Sequence, residues 1–211
     1  MHKHWIKICG ITRAKDAMAS SDLGVDAIGL VFYPPSPRAV VIDNVAEMVR
    51  GISASVSVVA LFVNPTASEV NRVVDSGYID LLQFHGSESE EFCCSFDIPY
   101  IKAFRVGFDA DLQHAIKAYP SAELILLDSY NETALGGTGH VFDWERVPAI
   151  SDSSLSKLVL AGGLSPDNIA TAIAQARPYG VDVSTGVESS PGIKDRALIK
   201  KFIEGVRSVS S

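Results

Sequence analysis

"KLVLAGGLSPDNIATAIAQA", residues 157–176, carries a strand, a glycine turn and a helix in one stretch. Lys157–Gly163 is a short apolar run that stops on two glycines. Ser165 then suits a helix N-cap and Pro166 a first helical position, which predicts a helix over Pro166–Ala176. The same unit recurs along the chain. Strand-like runs are predicted at Trp5–Ile11, Ala27–Tyr33, Ser57–Asn64, Leu81–Gly86, Tyr100–Val106, Glu123–Ser129, Lys157–Gly163 and Gly180–Gly186. Helical patterns follow at Ala14–Leu23, Asn44–Gly51, Ala67–Ser76, Ser89–Phe96, Ala110–Tyr119, Asp143–Ile150, Pro166–Ala176 and Lys194–Val206. Thr66 is a second candidate N-cap. "SDLGVDA" (21–27) and "DSGYID" (75–80) place glycine where a helix ends in a left-handed residue.

Strands separated by helices pair in parallel through right-handed crossovers. Eight such units in 211 residues predict an α/β chain folded as a single (β/α)8 TIM barrel with eight parallel strands, one domain over residues 1–211. The competing architecture is a doubly wound open sheet. It has fewer strands and a nucleotide fingerprint, which this chain lacks.

Composition narrows the function. At 47% hydrophobic residues the chain can fill a core. A net charge of −7 with no basic stripe argues against a nucleic-acid partner. No apolar run reaches the ~18 residues of a membrane span. The opening "MHKHWIKICGITRAKD" turns charged too soon for the apolar region of a signal peptide, so the expected setting is the cytoplasm. Cys9, Cys93 and Cys94 match no zinc spacing, and the five histidines do not cluster. Cys93 and Cys94, in "EEFCCSF", are expected to be small core or surface residues of an amphipathic helix. The sequence leaves the number of subunits open.

In a parallel barrel, reactive side chains collect where strands end. Those ends carry Cys9-Gly10, "YPPSPR" (33–38), Asn64-Pro65, His85-Gly86, Arg105, Asp128-Ser129, Gly162-Gly163 and Thr185-Gly186. Strand period 2 puts Trp5, Lys7 and Cys9 on one face and Ile6 and Ile8 on the other. Lys7 then points into the barrel and needs a partner. Strand 8 closes beside strand 1, and Asp182 is the natural one. The pair either tunes a site or only ties two strands together. A nearby cation would raise the thiolate fraction of Cys9 and make it a usable base. Asp128 ends "LILLDS" at the mouth, as an acid or as an N-cap or loop salt bridge. Arg38 is placed to pair a carboxylate or to sit in solvent. His85 either touches a ligand or packs. The glycine stretches "GGTG" (136–139), "AGG" (161–163) and "STG" (184–186) suit phosphate; the last two end strands 7 and 8, where barrels hold phosphate on backbone N–H groups.

The blocks "KICGIT", "FYPPSPRAV", "ALFVN", "LLQFHGSE", "LLDS…GGTG…FDW", "LAGGLSPDNI" and "GVDVSTGVESSPGIKD" resemble, in order, the signatures of the phosphoribosylanthranilate isomerase family. The resemblance covers nearly the whole chain. Phe84 and Thr185 stand where that family more often has leucine and serine; Thr185 keeps the hydroxyl. The resemblance implies an Amadori rearrangement of N-(5-phosphoribosyl)anthranilate in tryptophan biosynthesis, with no cofactor or metal. It implies Cys9 as general base, Asp128 as general acid and Arg38 as the holder of the anthranilate carboxylate. His85, Gly137, Gly139, Gly162, Gly163, Thr185 and Gly186 complete the expected substrate site, with Lys7 and Asp182 in support. Two rival functions fit the sequence less well. The histidine-pathway isomerase of the same fold resembles this chain but uses an aspartate at the Cys9 position. A catalytically silent sugar-phosphate-binding protein has no need of both Cys9 and Asp128.

Overall fold

The computed structural model describes residues 4–105, 116–128 and 157–209. Its centre is a closed barrel of parallel strands: β1 (Trp5–Cys9), β2 (Ala27–Val31), β3 (Ser57–Phe62), β4 (Leu81–Phe84), β5 (Tyr100–Arg105), β6 (Leu124–Asp128), β7 (Leu158–Ala161) and β8 (Gly180–Val183). β1 pairs with β2 on one side and with β8 on the other, where Lys7 lies opposite Asp182. Each of the eight predicted runs contains a strand, in every case shorter than the run itself. The predicted helix over Asp143–Ile150, most of that over Ala110–Tyr119, and Gly137 and Gly139 lie outside the described residues. Among the described residues no helix is long and apolar enough to cross a membrane.

The period-2 alternation decides which layer each side chain joins. Ile6, Ile8, Ile28, Leu30, Leu82, Phe84, Ile125 and Leu127 face the helices. Ala27, Val59, Ile101, Ala103, Leu124, Leu126 and Val159 fill the interior. Phe84 sits among Phe62, Phe92, Phe96 and Tyr100, with the edge-on Phe92 ring at 5.8 Å. A leucine there would leave this aromatic cluster without its centre. At the opposite end of the barrel, Asp26 and Asp80 accept from the Ile6 and Val58 N–H groups at 2.9 and 2.8 Å. They satisfy donors at the starts of strands.

Helix ends show where local signals held. Thr66 caps Ala67–Val74 in a reciprocal box with Glu69: the Glu69 N–H donates to Thr66 Oγ1 at 3.3 Å, and the Thr66 N–H donates to Glu69 Oε2 at 2.7 Å. Ser165 does not cap its helix. Residues 166–168 form a turn, and the helix runs Ile169–Ala176. The Asn168 side chain folds back instead, accepting from the Ser165 N–H at 2.8 Å and donating to the Gly163 carbonyl at 2.9 Å. The last helix starts at Arg196, not Lys194. Before it, Glu188–Ser190 and Ile193–Lys194 form a small antiparallel hairpin that the sequence reading missed.

Candidate active site

The C-terminal ends of the strands surround a cavity of about 480 Å³. Cys9, Arg38, His85, Asp128, Gly162, Gly163, Thr185 and Asp182 all contribute to its wall. Gly186 does not. It sits where β8's loop crosses β7's loop, and a Cβ there would collide with the Leu164 carbonyl. Gly162 and Gly163 carry φ of 84° and 62°, a turn that glycine makes without a Cβ penalty.

Cys9 ends β1 against Val31 and Leu61, an apolar floor. Lys7 lies one step below it and is fully buried. Its ammonium donates to Asp182 Oδ2 at 2.7 Å. Burial acts to lower the Lys7 pKa, but Asp182 and Cys9 outweigh it and hold the ammonium above the ordinary lysine value. Burial pushes the Cys9 thiol up, and the pull of Lys7 and Lys194 does not offset it. The sequence-based expectation of a thiol made more acidic by Lys7 is therefore corrected. The cation acts in the expected direction, but desolvation of the thiolate is larger. A thiol raised in this way is less often ionised and more basic when it is.

β2 makes room for this thiol. A Cβ on Gly29 would lie 2.8 Å from Cys9 Sγ and 3.1 Å from both Cys9 Cα and Lys7 Cε. Gly29→Ala should thus displace Sγ, lowering stability by ~1–3 kcal/mol and turnover by ~10²-fold. Denaturant unfolding beside a turnover assay checks both; wild-type turnover in the variant would show that the position of Sγ is not critical.

Across the mouth, His85 Nε2 lies 3.2 Å from Asp128 Oδ2. His85 therefore faces the carboxylate and does not serve as packing alone. Arg105 stands in register with Asp128 and also reaches the cavity. Arg38 does not extend into solvent. Its Nε and Nη2 donate to the two oxygens of Glu188 at 2.8 and 2.7 Å. Lys194 Nζ donates to the same carboxylate at 2.8 Å. Glu188 and Lys194 lie within the block "GVDVSTGVESSPGIKD", where no sequence signal marks either for this contact. A second buried pair, Lys102–Glu88 at 2.7 Å, ties the loops after β3 and β4, since Glu88 also accepts from the Asn64 and Gly86 N–H groups. Cys93 is buried, with its thiol pushed up to about 12, and Cys94 is exposed.

A parallel (β/α)8 barrel with a thiol, a carboxyl and two glycine loops around one cavity has the layout of an enzyme acting on a small phosphorylated substrate. The family model described as N-(5'-phosphoribosyl)anthranilate (PRA) isomerase matches residues 6–205. The chain is 52% identical over 204 residues to the N-(5'-phosphoribosyl)anthranilate isomerase of Pseudomonas aeruginosa (strain LESB58), covering 96% of this chain and 95% of that one. To the enzyme of Nitrosococcus oceani it is 48% identical over 206 residues, 97% and 98% of the two chains. The crystal structure of phosphoribosyl anthranilate isomerase from Thermotoga maritima superposes with a TM-score of 0.86 at 36% identity, over 97% of this chain and 99% of that chain. A solved complex of such an enzyme with reduced 1-(o-carboxyphenylamino)-1-deoxyribulose 5-phosphate superposes with a TM-score of 0.82 at 34% identity, over 97% and 99% of the two chains. The chain belongs to the N-(5'-phosphoribosyl)anthranilate isomerase family.

Proposed function

We infer that the chain catalyses the family's reaction, the isomerisation of N-(5'-phosphoribosyl)anthranilate to 1-(2-carboxyphenylamino)-1-deoxyribulose 5-phosphate in tryptophan biosynthesis. The observation that carries this for the chain itself is the meeting of Cys9 and Asp128 at one cavity mouth. Asp128, as the acid, gives a proton to the ring oxygen. The furanose opens, and the nitrogen lone pair forms an iminium at C1. The C2 hydrogen is then acidic, and the Cys9 thiolate takes it. The resulting enolamine tautomerises: the C2 hydroxyl becomes the ketone and C1 gains the hydrogen. Each turnover leaves Cys9 protonated and Asp128 ionised, and proton exchange with solvent restores both.

The raised thiol fits this sequence. The iminium brings a positive charge beside Cys9 just before the proton is needed, and that charge favours the thiolate. His85 holds Asp128 in this reading, which its 3.2 Å approach supports. Gly162, Gly163 and Thr185 hold the phosphate at the ends of β7 and β8, with Gly186 keeping that loop close; Gly137 and Gly139, outside the described residues, belong to the same proposal as substrate-binding residues. A cytoplasmic setting belongs to the same proposal, and the three free cysteines suit a reducing compartment. Incubating the purified chain with N-(5'-phosphoribosyl)anthranilate and following the ketose product tests the activity. Binding without conversion would leave only a sugar-phosphate-binding protein.

Arg38 takes the anthranilate carboxylate. Its replacement by methionine is expected to weaken binding of the reduced product analogue by ~1.5–3 kcal/mol, as read by calorimetry. Unchanged affinity in a folded variant would remove Arg38 from the site.

A further inference from the structure

Glu188 is nearly buried, at 5% side-chain exposure, and meets two cations. One is Arg38 in the loop after β2. The other is Lys194 in the hairpin after β8, whose side chain is fully buried. Lys194 also donates to the Ser184 carbonyl at 3.0 Å, and its N–H donates to buried Asp16 at 3.2 Å. The carboxylate is thus fixed from the far side. Burial works against its charge, but Arg38 and Lys194 hold its pKa below the usual glutamate range.

A guanidinium has five N–H donors. Glu188 takes one on Nε and one on Nη2. Among the described residues both donors of Nη1 and the second of Nη2 remain, and one Nη1–H beside that Nη2–H forms the end-on fork that grips a second carboxylate. Arg38 borders the cavity. We propose that Glu188 is the positioning residue for Arg38, fixing its side edge so that its end-on fork is presented to the carboxylate of the substrate. The proposal rests on Arg38 being the carboxylate holder. The contrary arrangement is a placeholder that swings away when substrate arrives. That motion would strand the buried Lys194 ammonium, a costly outcome in the absence of another anion. An arginine already held also loses less side-chain freedom on binding.

The test compares two ligands, the reduced product analogue and its counterpart lacking the ring carboxylate, by calorimetry. Glu188→Gln is expected to weaken the carboxylate ligand about tenfold and to leave the other unchanged. In an Arg38→Met background it should have no further effect. In turnover, KM should rise while kcat moves little. Because Glu188→Gln strips Lys194 of its counter-ion, the charge-balanced variant Glu188→Gln/Lys194→Met is measured beside it, each checked for native melting, and should lose the same preference. Tighter binding of the carboxylate ligand in Glu188→Gln would make Glu188 a competitor and overturn the proposal. So would equal losses for both ligands, or full retention of the preference in the charge-balanced variant. Arg38→Met separates the two claims. If it keeps the carboxylate preference, the Arg38 assignment itself fails; if it loses it while Glu188→Gln does not, only the positioning role fails.

Discussion

Cys9→Ala and Asp128→Ala are each expected to lower turnover by about 10²–10⁴-fold while the barrel stays folded, because the proposed mechanism makes them its base and its acid. Neither change opens a large cavity in the core. Cys9 faces the mouth of the barrel, and Asp128 ends its strand at the cavity. The pH profile adds a sharper expectation. The thiol lies above its ordinary value, so the rising limb of kcat/KM for the free enzyme should fall above about pH 8.5, the unperturbed thiol range. Lys7 pulls the thiol down. Lys7→Met removes that pull and should move the limb further alkaline. A variant at either position that kept more than about a tenth of wild-type turnover would strip that residue of its role. An acid shift in Lys7→Met would contradict the electrostatic sign.

The parts of this site legible in the sequence are those fixed by short-range geometry. Alternation along a strand is set by the backbone, so Lys7 and Cys9 could be assigned inward before any contact was known. Closure of the barrel then made Asp182 the partner of Lys7, and the 2.7 Å contact lies where strand pairing puts it. Thr66 was legible for the same reason, since its capping partner Glu69 is three residues away. Ser165 misled because Asn168, three residues on, takes the Ser165 N–H on its side chain and the helix starts only at Ile169. Glu188 was not legible. It meets Arg38 from 150 residues away, through a hairpin of two very short strands that leaves no periodic trace. The direction of the Cys9 shift was not legible either. A neighbouring cation is visible in the sequence, but the desolvation that outweighs it belongs to the packed barrel.

Asp182→Ala is expected to destabilise the fold by about 3–5 kcal/mol, the cost of leaving a buried charge without its partner. Lys7 is fully buried. Without Asp182 its ammonium must either stay charged among apolar neighbours or lose its proton. Lys7→Met should cost less. Asp182 lies at the cavity wall with a side chain 7% exposed, against 0% for Lys7, so the carboxylate is better placed than the ammonium to meet water. The double variant Lys7→Met/Asp182→Leu should recover most of the loss, since a buried pair replaced by apolar groups is often neutral. The pH dependence has a definite sign. Lys7 is raised in the folded state. The pair's contribution is therefore complete below the unfolded lysine value of about 10.4 and is lost as pH rises through the higher folded value. Urea unfolding of wild type and Asp182→Ala should show the full difference at pH 7 and a smaller one well above pH 10.4. A penalty for Lys7→Met larger than that for Asp182→Ala would mean that the aspartate, not the lysine, is the charge the barrel cannot leave alone.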